Sequence, residues 1–379
     1  MALGTLFALA PPRRPKALSF LAHRLGLLLN ELPFLALILL LASTALALAQ
    51  GDLDSAGGWM TLGLAAATAA GLALVVGRSL RTAPTLALAM SDGLGSGWRD
   101  SSEATLPTRR RPIGRIVLGL FTRRRGVERI VDIRYGEAGT RNTIDLYRHR
   151  SEQQRGPVLI HLHGGSFVSG RKSRQALPLL YRLASRGWVC VSANYRYSPP
   201  ASFTDQVIDT KAVIAWVREH GAEFGVDPAV VFVAGNSAGA HLTSTAALTS
   251  NDPVFQPGFE STETSVAGAI ALGGYFGARR MPEPPPTSPA AYIRGDAPPF
   301  FVAHGDRDTV VPVQGARRFV EKLSGVSSAP VVYAELPGAL HTFDYFSSIR
   351  SEAVIDSIED FAAWVQSTQA SARARALSD

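Results

Sequence analysis

Two long apolar runs stand near the head of the chain, and six shorter ones punctuate the remainder. Residues 32–49 are 18 positions without a charge, and residues 57–77 are another 21. At about 1.5 Å per helical residue each run can cross about 30 Å of hydrocarbon, the first only just. Neither shows the polar face of a soluble amphipathic helix, and Pro33 falls at a first-turn position where proline is tolerated. The pattern predicts a two-helix transmembrane hairpin. The short apolar runs near 157–162, 187–193, 230–234, 266–272, 299–303 and 330–335 each fit a strand buried on both faces. Helix-like stretches near 173–186, 206–220, 238–249 and 314–324 lie between them. Strands and helices alternating in this way predict an α/β domain with a parallel sheet, whose ligands bind at the carboxyl ends of the strands.

Charge and composition divide the 379 residues into an anchor at 1–81 (spans about 32–49 and 57–77), a basic linker or lid segment at 82–126, and the α/β domain at 127–379. Arg13, Arg14, Lys16 and Arg24 precede the first span, and Arg78 and Arg81 follow the second. The connecting loop carries Asp52 and Asp54 and no Lys or Arg, so a positive-inside arrangement puts both termini, and with them the α/β domain, on the cytoplasmic face. A rival reading takes the first run as a signal peptide, since Ala-Leu-Ala at 47–49 resembles a cleavage site; the second run would still anchor the chain. The formal charge of +7 raises nucleic acid as a partner, but the triplets Arg109–Arg111 and Arg123–Arg125 sit beside the spans. Anionic headgroups, at about 1 kcal/mol per well-placed Lys or Arg, explain them more simply, and a solvated linker explains them equally. No nucleic-acid partner is expected. The single Cys190 excludes an intrachain disulfide, and nothing in the sequence bears on oligomeric state.

The chemistry concentrates after the third short run. Gly-Asn-Ser-Ala-Gly at 235–239 follows one expected strand and opens one expected helix. Gly235 and Gly239 remove the Cβ atoms that a tight strand-to-helix turn cannot hold, and the turn pushes the Ser237 hydroxyl out of the sheet. A serine hydroxyl needs a base, and the base needs an acid to hold its tautomer. Beyond the helix that Ser237 opens, only His304 and His341 lie downstream; His341, in the loop after the last strand, is where the base is required, and His304 reads as a structural strand end. The preceding loop offers two carboxylates, Asp306 and Asp308. Upstream, His163-Gly-Gly ends another strand, and the N–H groups of Gly164 and Gly165, with that of Ala238 after the nucleophile, are candidates for an oxyanion hole. His161 and His163 have the i, i+2 spacing of a metal pair, but no third ligand is near in sequence, so no metal is expected. The glycines at 93–97 lack the strand and spacing of a dinucleotide loop.

With these pieces assembled, the chain resembles an α/β-hydrolase of the hormone-sensitive-lipase-like carboxylesterase group. The residues that carry the likeness are His-Gly-Gly-Ser-Phe at 163–167, Gly-Asn-Ser-Ala-Gly-Ala-His at 235–241, His-Gly-Asp-Arg-Asp-Thr-Val-Val-Pro at 304–312 and His-Thr-Phe at 341–343. Asn-Tyr-Arg-Tyr-Ser-Pro at 194–199 and Ser-Pro-Ala-Ala-Tyr-Ile at 288–293 support it, and the likeness covers about residues 127–367. The glycine-serine string behind a membrane hairpin is also similar to prenylcysteine methylesterases and membrane-attached bacterial esterases. The resemblance implies a mostly parallel eight-stranded sheet with helices on both faces. It also implies Ser237 as nucleophile, Asp308 and His341 completing the triad, and Gly164, Gly165 and Ala238 as the oxyanion hole. N-terminal segments cover the site in such enzymes, which makes 110–126 a candidate lid. The expected activity is hydrolysis of small-molecule or lipid carboxylic esters without a cofactor. An amidase, formamidase or peptidase with the same triad is the alternative, and a catalytically silent membrane receptor or scaffold is a more distant one.

Overall fold

The six expected strands lie side by side, joined at one edge by two that the hydropathy pattern had not marked. The computed structural model describes residues 1–52, 54–99, 114, 116, 124–151, 155–279 and 284–378. Its strands are β1 (Val127–Arg134), β2 (Thr143–His149), β3 (Gly156–Leu162), β4 (Val189–Ala193), β5 (Val226–Asn236), β6 (Gly268–Leu272), β7 (Phe300–Gly305) and β8 (Val331–Leu336). They form one 8-stranded sheet in the order β1-β2-β4-β3-β5-β6-β7-β8. β3 to β8 run parallel, whereas β1 pairs antiparallel with β2 and β2 antiparallel with β4.

Both faces are covered, which is why β3 to β7 read as almost continuous apolar runs. One face packs under α7 (Phe203–His220), α8 (Ala238–Leu248) and α9 (Gln314–Val326), through residues such as Val207, Leu242 and Phe319 against Ile160 and Val233. The opposite face packs under α6 (Leu177–Ala184) and α10 (Ile349–Ser378), through Leu180, Ile358 and Phe361 against Leu159, Phe232 and Phe301. Ser202 starts α7 with a capping box, its Oγ accepting the Asp205 N–H at 3.0 Å while Asp205 accepts the Ser202 N–H at 2.8 Å.

Ahead of the sheet stand α1 (Ala2–Leu9), α2 (Lys16–Glu31), α3 (Pro33–Ala49), α4 (Ala56–Leu80) and α5 (Thr82–Leu94). α4 and α5 follow one another as 39 residues of helix, Ala56–Leu94, long and apolar enough to cross a membrane. α2 and α3 pass the same test only as a pair, and they are bent by 86° at their junction. The structure corrects the expected linker at its start. Residues 82–94 are helical, and Leu86, Ala89 and Met90, spaced to share one face, are buried on the sheet beside Val332 and Phe361. Gly93 makes that approach possible: a Cβ there would stand 2.7 Å from the Val331 carbonyl oxygen. The expected lid at 110–126 falls mostly outside the described residues; at its end, Arg124 Nη1 donates to Ser185 Oγ at 2.9 Å.

The first helices are fastened to the α/β domain by buried polar contacts. Arg350, at the start of α10, forms an ion pair with Glu31 at the end of α2, and both side chains are fully buried. Ser348 Oγ donates to Glu31 at 2.7 Å, and Arg350 also donates to Asn30 Oδ1 at 2.8 Å, Ser79 Oγ at 3.1 Å and the Pro337 carbonyl at 3.2 Å. Asn30 Nδ2 reaches the Gly338 carbonyl at 3.0 Å. The expected division at residue 81 falls at the turn between α4 and α5.

Candidate active site

Each sequence-expected site residue emerges at the carboxyl end of a strand. Ser237 stands between β5 and α8 with φ 53° and ψ −114°, a conformation that strains any residue with a Cβ. Its two flanking glycines explain how the chain turns so sharply. A Cβ on Gly235 would lie 2.3 Å from the Gly239 carbonyl carbon, and one on Gly239 would lie 2.1 Å from the Leu162 carbonyl oxygen. Ser237 N–H donates to the Leu272 carbonyl at 3.0 Å, tying the turn to β6.

Asp308 follows β7 and His341 follows β8. His341 Nδ1 lies 2.6 Å from Asp308 Oδ2, and both side chains are buried. The other Asp308 oxygen accepts the N–H groups of Val310 at 2.9 Å and Val311 at 2.8 Å, which fixes the carboxylate plane. Burial alone would lift the Asp308 pKa, but the charge and hydrogen bonds of His341 and His304 hold it well below the usual carboxylate range. Burial would likewise lower the His341 pKa; the Asp308 charge and hydrogen bond outweigh it and raise it above the ordinary 6.5. Asp306, the other candidate acid, accepts the Gly338 N–H at 2.7 Å and so braces the His341 loop from outside the pair. His304 is fully buried with Nε2 2.8 Å from the Val311 carbonyl, in the structural position expected of it.

The expected donor set needs a correction. The Gly164 N–H already donates to the buried Gln175 Oε1 at 2.6 Å, and Gln175 Nε2 donates to Tyr345 at 3.0 Å. Gly164 therefore orients its loop and has no proton to offer a substrate. Among the described residues, the N–H groups of Gly165 and of its neighbour Ser166 have no acceptor within the chain, and Ala238, first in α8, has none inside its helix. All three residues line the same cavity as Ser237 and His341. The loop is shaped by Gly165, whose φ of +132° and whose 1.9 Å separation between a built Cβ and the Ser169 carbonyl oxygen admit no side chain. His163 stacks on Tyr195 with ring centroids 4.6 Å apart, and burial pushes its pKa down to about 4, so it is a neutral prop for the loop.

Sequence reasoning missed two groups around this centre. Beneath Ser237, His161 Nε2 meets Asn236 Oδ1 at 2.6 Å, and Asn236 Nδ2 donates to the buried Asp344 at 2.7 Å, a chain that links β3 to the His341 loop. The spacing of His161 and His163 carried no sign of this chain of hydrogen bonds. Above Ser237, Phe20 and His23 of α2 wall the cavity of about 540 Å³, with the His23 ring edge-on to His341 at 6.0 Å. No local signal ties residue 20 to residue 237; only tertiary packing does.

Known proteins share the fold and place the chain in a family. A family model described as BD-FAE matches residues 144–272. Over 265 residues the chain is 43% identical to the probable carboxylic ester hydrolase LipM of Mycobacterium tuberculosis, covering 63% of this chain and 62% of that protein. It is 36% identical over 272 residues to the esterase LipC of the same organism, covering 65% of this chain and 67% of LipC. Among solved structures, esterase 2 of Thermogutta terrifontis in its paraoxon-phosphorylated form is 27% identical, with a TM-score of 0.53 over 62% of this chain and 91% of that one. The match to LipM thus leaves more than a third of LipM unaligned. The eight-stranded sheet, the order of its motifs and these relatives lead to one conclusion: the chain belongs to the α/β-hydrolase carboxylesterase family.

Proposed function

We propose that the chain is a membrane-anchored serine carboxylesterase that hydrolyses carboxylic esters through an acyl-enzyme. The observation that carries this reading is the strained Ser237, held on its turn against a cavity that it shares with the His341–Asp308 pair. Ser237 Oγ attacks the ester carbonyl carbon while His341 Nε2 takes its proton. Asp308 accepts the Nδ1–H and stabilises the imidazolium that forms. The N–H groups of Gly165, Ser166 and Ala238 meet the oxygen as it becomes negative; losing one such donor costs about 2.7–4 kcal/mol of transition-state stabilisation. The alcohol departs with the proton from His341, and water repeats the sequence on the acyl-enzyme to release the acid.

The anchor in this reading is α3 and α4. α3 covers only about 25 Å at 1.5 Å per residue, so it spans with local thinning of the bilayer. Arg13, Arg14, Lys16 and Arg24 before it, and Arg78 and Arg81 after the apolar part of α4, put the hydrolase on the cytoplasmic face. The test is Ser237→Ala in the full chain. Ester hydrolysis and labelling by a fluorophosphonate probe should both vanish, and retention of either overturns the assignment. An ester and amide panel with a common acyl group then distinguishes esterase from amidase.

A further inference from the structure

The outward face of α2 inverts the usual pattern. Phe20, Leu21, Leu25 and Leu28 are each about half exposed, with Arg24 beside them, while Ser19, Ala22, Gly26 and Asn30 are buried. The polar and small side is the inner one because it has partners there. Ser19 Oγ donates to the Pro12 carbonyl at 2.7 Å, Asn30 holds the Gly338 carbonyl, and Gly26 lets the backbone of Ala8 come close. An apolar stripe turned away from its own protein requires a non-aqueous neighbour.

Three observations identify that neighbour as a lipid leaflet. The next helix, α3, exposes aliphatic side chains as well, Ile38, Leu39, Leu41 and Leu46, which the spanning reading already places in lipid. The 86° bend between α2 and α3 lays α2 nearly perpendicular to a spanning helix, that is, along the membrane plane. The residues flanking and interrupting the stripe, Arg13, Arg14, Lys16 and Arg24, carry the sign that anionic headgroups attract. The same helix turns Phe20 and His23 to the Ser237 cavity.

We propose that α2 is an interfacial helix whose leucine row lies in the leaflet and whose Phe20–His23 edge is the rim of the cavity, so that lipid-dissolved esters reach Ser237 without crossing water. This rests on the spanning and esterase readings above. It adds the access route and a substrate class, esters whose acyl chain is dissolved in the bilayer.

The test compares the full chain with the triple variant Leu21→Ser, Leu25→Ser, Leu28→Ser, none of which lines the cavity. Both are reconstituted in vesicles of phosphatidylcholine with a minor share of phosphatidylglycerol. The probes are 4-methylumbelliferyl butyrate and 4-methylumbelliferyl oleate, which share a leaving group and differ in partitioning. The variant should hydrolyse the butyrate ester at the wild-type rate and the vesicle-borne oleate ester about tenfold more slowly. Equal rates on oleate, or a parallel fall on both esters, overturn the proposal. A wild-type dimer that the variant dissociates also overturns it, by giving the row to a second copy of the chain. Release of the unaltered chain from vesicles by alkaline carbonate overturns the spanning reading itself, and this inference with it. Failure of butyrate hydrolysis in the wild type overturns the esterase reading instead.

Discussion

Replacing Arg350 by Met isolates the contribution of the lock between the first helices and the catalytic loop. The guanidinium and the Glu31 carboxylate are both at 0% exposure, so the variant leaves a buried carboxylate whose one remaining side-chain donor is Ser348. Breaking a buried pair from one side costs about 3–5 kcal/mol, against about 0–1 for an exposed pair. At about 1.4 kcal/mol per decade this lowers the folding equilibrium by about two to three and a half orders of magnitude. The Pro337 carbonyl, Asn30 Oδ1 and Ser79 Oγ also lose their donor. In the double variant Glu31→Leu, Arg350→Met the buried charge is gone, and what remains is about 1–3 kcal/mol for polar atoms left unpaired. The double variant is therefore expected to be about 2 kcal/mol more stable than Arg350→Met alone, and well short of the summed cost of the two single changes. Denaturant unfolding in detergent micelles, followed by tryptophan fluorescence, measures it. The butyrate ester activity should track stability, since Pro337 and Gly338 begin the loop that carries His341. If the double variant is as unstable as the sum of the two single ones, the pair is not a coupled lock and the reasoning fails.

Four further outcomes follow from the site. Because His341 acts as a base only when neutral and its pKa is raised, kcat/KM should fall as pH drops through a value above 6.5, and an acid limb below 6.5 contradicts the pairing. The stability linkage from His341 has the opposite sense: its raised pKa contributes fully below 6.5 and is lost as pH rises through the folded value. Asp308→Asn should lower kcat about 10⁴-fold and move the remaining acid limb downward, read from a pH–rate profile; an unmoved limb would reassign the acid. Gly239→Ala forces a methyl group to 2.1 Å from the Leu162 carbonyl oxygen, so it should cost at least about 1–3 kcal/mol and abolish fluorophosphonate labelling; a labelled, stable variant would contradict the tight turn. Gln175→Leu strands the Gly164 N–H and should cost about 1–3 kcal/mol while leaving the acid limb of the pH profile unchanged, which thermal unfolding and kinetics measure together.

The strands β3 to β7 were legible because each is largely buried between covering helices and so writes an almost unbroken apolar run into the sequence, and the half-buried β8 still reads as one through Val331 to Ala334. β1 was not, because an antiparallel edge is partly solvated and Val-Glu-Arg-Ile-Val-Asp-Ile-Arg carries charge; β2 was not, because its mostly buried run is broken by Asp145, paired with Arg129 and Lys172. α5 was hidden by its own punctuation, with Pro84 in its first turn and glycines at 93 and 95, although its Leu86, Ala89 and Met90 spacing was present. Ser237 and His341 could be proposed from strand order, whereas the choice of Asp308 over Asp306 came from the family resemblance. The Gly164 assignment failed for a different reason: which side chain occupies a backbone N–H is decided by Gln175, in another segment of the chain, and local sequence is silent on it. Phe20 and His23 were invisible for the same cause.

On the proposed membrane-anchored reading, the run of helix from Ala56 to Leu94 leaves no swivel between bilayer and sheet. With α4 in the membrane, α5 is a strut of about 20 Å at 1.5 Å per residue, clamped at its far end between β8 and α10. On that reading the proposed catalytic centre is held at one height and one tilt over the leaflet. Its encounters with lipid-dissolved esters would then be a search in two dimensions, governed by moles of ester per mole of lipid, which dilution of the aqueous phase does not change.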